Sequence, residues 1–186
     1  NSILELTPIN YGRNPIALEY IAKKTGINIM FITGFHKEEF LPKWIEEKSD
    51  EEIYNFLLNE INSGVSSHML FPAAIKIGTS YNKITELEKR IISIVSSIHN
   101  ETGIPIITHC DNGTMGLEQI KLFEENNVPI NNICLSHIDL SMDEGYILEI
   151  CKSGAYISFD HVGRDLENKD KSKINLLENL IEDGVL

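Results

Sequence analysis

The sequence predicts an α/β fold with a parallel sheet, of the (β/α)8 barrel type. Three observations predict it. Short, continuously apolar segments alternate with longer stretches of 3.6-residue periodicity along the whole chain. Strands buried on both faces have this pattern, and strict β-then-α alternation makes a parallel sheet. No G-x-G-x-x-G or Walker motif stands at a strand end, where the doubly wound nucleotide-binding folds carry them. Instead, the residues with most chemical capacity sit at the C-terminal ends of several different strands, where barrels of this kind build their sites.

The elements follow in order. An apolar strand over 2–6 ends at Thr7-Pro8. A helix over 15–24 has Pro15 in its first turn, where the missing N–H is no loss. "NIMFI" at 28–32 is a strand stopped by Thr33-Gly34. The irregular stretch 34–48 holds the only tryptophan, Trp44, and is expected to be a long loop over an active site. Residues 50–62 form a helix with Ser49 or Asp50 as N-cap, and with Ile53, Phe56, Leu57, Glu60 and Ile61 in mixed 3.6 period. "AAIKI" at 73–77 is a strand ending at Gly78-Thr79. The helix over 85–100 aligns Leu87, Ile91, Ile94, Val95 and Ile98 on one face. Then come the strand "IPIIT" at 104–108, a helix over 116–126, the strand "NICLS" at 132–136, a helix over 143–153, the strand "AYISF" at 155–159, and a closing helix over 173–182. These are six βα units, whereas a closed barrel has eight.

Composition narrows the partners. Of 186 residues, 42% are hydrophobic and 24% charged, which suits one soluble domain with a real core. A net charge of -12 disfavours nucleic acid and anionic membranes as partners. No apolar run reaches the ~20 residues of a membrane span, and no signal peptide is seen. Cys110, Cys134 and Cys151 form no C-x-x-C pair, so a reducing, cytoplasmic setting is expected.

Lys76 lies mid-strand between apolar neighbours. A lysine there either snorkels to the strand end or is desolvated, which lowers its pKa. A neutral amine can take up carbon dioxide as a carbamate, turning a cation into an anionic oxygen ligand. His109 follows "IPIIT" and His137 follows "NICLS". Either alone is an ordinary turn histidine. Together with Lys76 they recur at intervals of about 30 residues, roughly one βα unit. Three successive strands thus deliver Lys, His and His to one rim, a donor set that suits zinc and similar divalent ions.

The ordered motifs resemble the phosphotriesterase-related proteins of the amidohydrolase superfamily, over essentially the whole chain. "TPINYGRN" resembles the family's second-strand segment with its Gly-Arg pair, and "FITGF" the end of its third strand. "AAIKIGTS" resembles the strand of the carbamylated lysine. "TGIPIITHCDNGTMGLEQIKLFEENNV" and "ICLSHIDLS" resemble the fifth- and sixth-strand histidine segments, and "GAYISFDHVGR" the seventh strand. The resemblance implies an amidohydrolase-type barrel in which carbamylated Lys76 bridges two divalent ions, with His109 and His137 as further ligands. Zinc is the first expectation, with manganese or cobalt as alternatives. It implies hydrolysis of a small-molecule lactone or other ester, a phosphorylated sugar lactone among them, with organophosphate triesters as a side activity.

The family's paired first-strand histidines and its last-strand aspartate have no counterpart here. The expectation is therefore a single barrel domain over 1–186 covering strands two to seven, incomplete at both ends. Around the ligands, His161 occupies the place of a histidine that relays protons in some relatives. Its carboxylate partner there would fall at Leu140, one residue past Asp139, and Asp160 could be structural. Arg164 could bind an anionic substrate group. His36 and Tyr81 could line the pocket, His68 and His99 are expected at the surface, and "RDLENKDKSK" is expected to be a solvated loop. A homodimer is left open. The rival readings are another hydrolase of the superfamily, or an inactive barrel serving as a binding module. A branch bridged by glutamate fits poorly with Lys76.

Overall fold

A computed structural model describes residues 1–163, 169–182 and 184. Strands β1 (Ser2–Leu4) and β2 (Asn28–Met30) pair in parallel. Strands β3 (Ile32–Gly34), β4 (Ala74–Thr79), β5 (Ile106–Cys110), β6 (Ile133–Ser136) and β7 (Tyr156–Ser158) form a second parallel sheet in chain order. Phe31 alone separates β2 from β3. The Met30 carbonyl accepts from Glu5 N at 2.8 Å and the Phe31 carbonyl from Ala73 N at 2.8 Å. One strand therefore serves both sheets, passing the ladder from β1 to β4. Counted so, six parallel strands stand in chain order, a partial (β/α)8 barrel.

Helices α1 (Pro15–Thr25), α2 (Trp44–Glu47), α3 (Asp50–Ser63), α4 (Glu86–Thr102), α5 (Gly116–Glu125), α6 (Glu144–Lys152) and α7 (Lys169–Glu182) fill the connections. Their starts follow local chemistry. Asn14 caps α1, with Pro15 in the first turn, and Ser49/Glu52 and Thr85/Glu88 make capping boxes on α3 and α4. Glu88, almost fully buried, also accepts from Ser80 Oγ at 2.6 Å and Glu38 N at 3.0 Å. One carboxylate thus ties the loops after β3 and β4 to the start of α4.

Strand side chains alternate between two faces. Ile75, Ile77, Ile106 and Leu135 join the large core with Ile92 and Val95 of α4, Phe123 of α5, Ile147 of α6 and Leu180 of α7. Each fully buried isoleucine or leucine contributes about 1.5–3 kcal/mol. The other face carries a small cluster of Ile32, Ala74 and Ile107, with Leu6 and Cys134 packed against it. That is the barrel interior. Since Lys76 pairs with Ile107 and Gly78 with His109, alternation places Lys76 and His109 on this inner face, above the small cluster.

Several boundaries differ from the sequence expectation. The strand from residue 28 continues to Gly34, where a Cβ would lie 2.2 Å from the Lys76 carbonyl oxygen. Glycine ends a strand in a propensity reading; here it permits close approach of β4. Strands β4 and β5 likewise run two residues further, so His109 is inside its strand, opposite Gly78. The stretch 34–48 contains a 3-10 turn and α2. Trp44 packs edge-on against Phe35 and Phe56, at 5.9 and 5.3 Å between ring centres, and is a core anchor. Helix α7 starts at Lys169, so part of the expected loop is helical; Arg164 lies outside the described residues. The cysteines are free, and no described helix is long and apolar enough to cross a membrane.

Candidate metal centre

The C-terminal ends of β3–β7 bring four imidazoles into a row, His36, His109, His137 and His161, beside the amine of Lys76 on β4. Lys76 is 7% exposed, and its Nζ donates to the Leu6 carbonyl at 3.4 Å. Burial lowers its pKa, against the opposing pull of the Asp160 and Glu5 charges. The His109 ring lies 4.7 Å from that of His137 and 4.4 Å from that of His36. Its Nε2 is buried without a hydrogen-bond partner among the described residues, and the Asp111 Oδ1 atom stands 3.9 Å away. Burial, then the neighbouring cationic groups, hold His109 down at about 2. The ring is neutral.

His137, directly after β6, stands in the left-handed region, at φ 69. Asp160, just past β7, explains the pose. Its Oδ1 lies 2.6 Å from His137 Nδ1, and its Oδ2 accepts from His137 N at 3.2 Å. Burial pushes the Asp160 carboxyl up, but the His137 hydrogen bond and the nearby imidazoles leave it below its ordinary value. A carboxylate on Nδ1 places the proton there and leaves Nε2 with a lone pair. His161 stands beside this pair, its ring 4.7 Å from His137 and its Nε2 3.9 Å from Asp160 Oδ1. Ligand atoms of His137, Asp160 and His161 lie within 4.8 Å of one another.

The donor set fits a divalent ion. A buried imidazole nitrogen without a partner is costly, and here it belongs to a neutral ring beside a second imidazole oriented by a carboxylate. That carboxylate–histidine arrangement is the usual support of a metal-binding histidine.

The remaining sequence candidates fall at several distances. His36 packs on His109, Tyr11 and Phe40. Burial, then Lys76 and other charges, lower it to about 4. Lys37 N donates to its Nδ1 at 2.8 Å, leaving the proton on Nε2. Tyr81 is 55% exposed at a groove also lined by Lys37, Ser80 and Asp111. His68 is at the surface, paired with Glu19. His99 is not: it is 4% exposed, with Nδ1 2.7 Å from the Ile104 carbonyl oxygen. It lies on the apolar face of α4, seven residues after Ile92 and four after Val95, a periodicity that could have placed it. Asp139 is fully buried against Lys173 Nζ at 2.8 Å, so the described carboxylate facing His161 is Asp160.

Two neighbours were missed. Lys37 Nζ donates to Asp111 Oδ2 at 2.6 Å, and the two residues adjoin His36 and His109. Charged residues one or two positions after the histidines near strand ends were the available signal. Arg13 of "TPINYGRN" is a buttress. It grips Glu60 with two bonds of 2.7 Å, and Thr33 donates to the same carboxylate.

Residues 1–186 match the phosphotriesterase family throughout. The chain belongs to that family. It is 33% identical to the phosphotriesterase homology protein of Escherichia coli over 100% of this chain and 64% of that protein. A crystal structure of that homology protein, complexed with phosphate in its active site, superposes with a TM-score of 0.95 at 33% identity, covering 99% of this chain and 64% of that one. The phospho-furanose lactonase of Mycoplasmopsis synoviae is 28% identical over 100% of this chain and 57% of its own length. The chain thus spans less than two thirds of these relatives. Phosphotriesterase-family membership agrees with the resemblance of the ordered strand-end motifs, and the superposition agrees with the partial barrel.

Proposed function

We propose that the protein carrying this chain is a metal-dependent hydrolase that opens a lactone, with carbamylated Lys76, His109 and His137 as ligands of a two-metal centre. The observation that carries this reading is the buried, partnerless His109 Nε2 beside a His137 whose Nδ1 is fixed by Asp160. Two divalent ions, zinc first and manganese or cobalt as alternatives, would acidify a water and polarise an ester carbonyl there.

The chain's own residues supply the rest. Burial favours the neutral Lys76 amine. Its nitrogen adds to the carbon of carbon dioxide and the nitrogen loses a proton, leaving a carbamate anion. Asp160 holds His137 in one tautomer. His161 Nε2 stands 3.9 Å from Asp160 Oδ1, so a proton relay between the two side chains would run through one bridging water. His36 presents Nε2–H as a donor to substrate, and Tyr81 lines the outer groove. Arg164 is proposed to hold an anionic group on the substrate.

A phosphorylated sugar lactone is the preferred substrate class. One relative is named a phospho-furanose lactonase, and another was crystallised with phosphate in its active site. A relative from Saccharolobus solfataricus, 26% identical, is named an aryldialkylphosphatase, which supports triester hydrolysis as a side activity. The test compares a phosphorylated furanose lactone with its unphosphorylated analogue on the metal-loaded, full-length protein. Arg164→Met should lower kcat/KM on the phosphorylated lactone by about tenfold to hundredfold and spare the analogue. No turnover of any lactone would refute the substrate class.

A further inference from the structure

We propose that Lys173 and Asp139 are positioning residues of the metal centre, fixing Asp160 in the pose that orients His137. The inference rests on the metal-centre reading and extends it to a helix that contributes no ligand.

The β6–β7 ladder ends at the pair Ser136 and Ser158. Asp160 is two residues beyond it, where the sheet no longer holds the backbone. Both of its backbone polar groups are held instead by a buried ion pair. Asp160 N donates to Asp139 Oδ1 at 3.3 Å, and the Asp160 carbonyl accepts from Lys173 Nζ at 3.2 Å. The two side chains meet at 2.8 Å, and their side-chain exposures are 4% for Lys173 and 0% for Asp139.

With its main chain gripped on both sides, Asp160 turns its carboxylate to His137 Nδ1 and N. Asp139 belongs to the short turn that follows His137. The contacts therefore close a ring from His137 through Asp139 and Asp160 back to His137, and Lys173 locks it from α7. Buried ion pairs contribute little net stability compared with apolar replacements. A pair placed where the ladder stops, on the backbone of the residue that orients a ligand, is explained by positioning.

The experiment uses the full-length protein and cobalt(II), whose visible spectrum reports ligand geometry. Affinity is read by chelator competition, and stability by thermal unfolding of the metal-free protein. Lys173→Met should weaken cobalt binding about tenfold or more and change the spectrum, the usual scale for losing outer support of a ligand. Lys173→Arg, which keeps the charge, should restore most of the affinity. Because Lys173→Met strands a buried carboxylate, the double variant Asp139→Asn/Lys173→Met is made alongside it. The double variant should regain stability without regaining affinity. Wild-type affinity and spectrum in Lys173→Met would overturn the inference, and so would affinity that returns together with stability in the double variant. A wild-type protein that takes up no cobalt would instead overturn the metal-centre reading beneath it.

Discussion

Asp160→Asn separates a ligand-orienting carboxylate from a merely polar neighbour. In the native pair both carboxylate oxygens accept, from His137 Nδ1 at 2.6 Å and from His137 N at 3.2 Å. Asparagine has one acceptor and one NH2 donor in the same space. If its oxygen faces Nδ1, its NH2 opposes the backbone N–H. If it turns over, Nδ1 must accept, which moves the imidazole proton to Nε2 and blocks the ligand lone pair. Either pose loses a charge-assisted bond, on the order of 1.5–3 kcal/mol. The side chains are only 17% and 26% exposed, so water replaces that bond poorly. Loss of such outer support weakens metal binding about 10- to 100-fold. The assay is zinc affinity by competition with a chromophoric chelator at fixed pH, with the melting temperature of the metal-free protein as control. Unchanged zinc affinity in Asp160→Asn would refute the tautomer argument.

Three further outcomes are expected. Gly78→Ala brings a Cβ to 2.8 Å from Lys37 N and 3.3 Å from His109 Cβ; it should cost about 1–3 kcal/mol in urea unfolding and also weaken zinc binding, whereas unchanged stability would show that the loop yields freely. In the metal-free protein His109 and His36 are held near 2 and 4. The unfolded chain, titrating near 6.5, then binds more protons below that pH, so stability should fall as pH drops from about 6.5 toward 4, by at most about 1.4 kcal/mol per unit for each imidazole; a urea midpoint independent of pH over that window would contradict this. His109→Asn should reduce zinc affinity with little change in melting temperature, while His99→Asn should do the reverse, costing about 1–3 kcal/mol through its bond to Ile104; parallel effects in both variants would argue against coordination.

The order of elements was legible because short buried strands are written as isoleucine runs, as in "AAIKI" and "IPIIT". Lys76, His109 and His137 were legible because each breaks such a run near the same point. Strand ends were not. Gly34 and Gly78 mark breaks in a propensity reading, but in the fold they let β4 and the His36–Lys37 backbone approach. The partner of His137 was also hidden, since Asp160 reaches it from the end of the neighbouring strand with no local periodicity to announce it. The same holds for Lys173 against Asp139. The sequence placed Asp139 beside a relay position, while tertiary packing gave it to a lysine on α7.

Buried Lys76 is proposed to carry a carbamate as part of a metal centre. The most direct measurement is carbon-13 NMR of the metal-loaded, full-length protein equilibrated with labelled bicarbonate, beside a metal count. A carbamate carbon signal in the wild type is expected, absent in Lys76→Ala together with most of the bound metal. A wild-type protein that holds its full complement of metal with no carbamate signal, or a Lys76→Ala variant that retains both metal and hydrolysis, would contradict it.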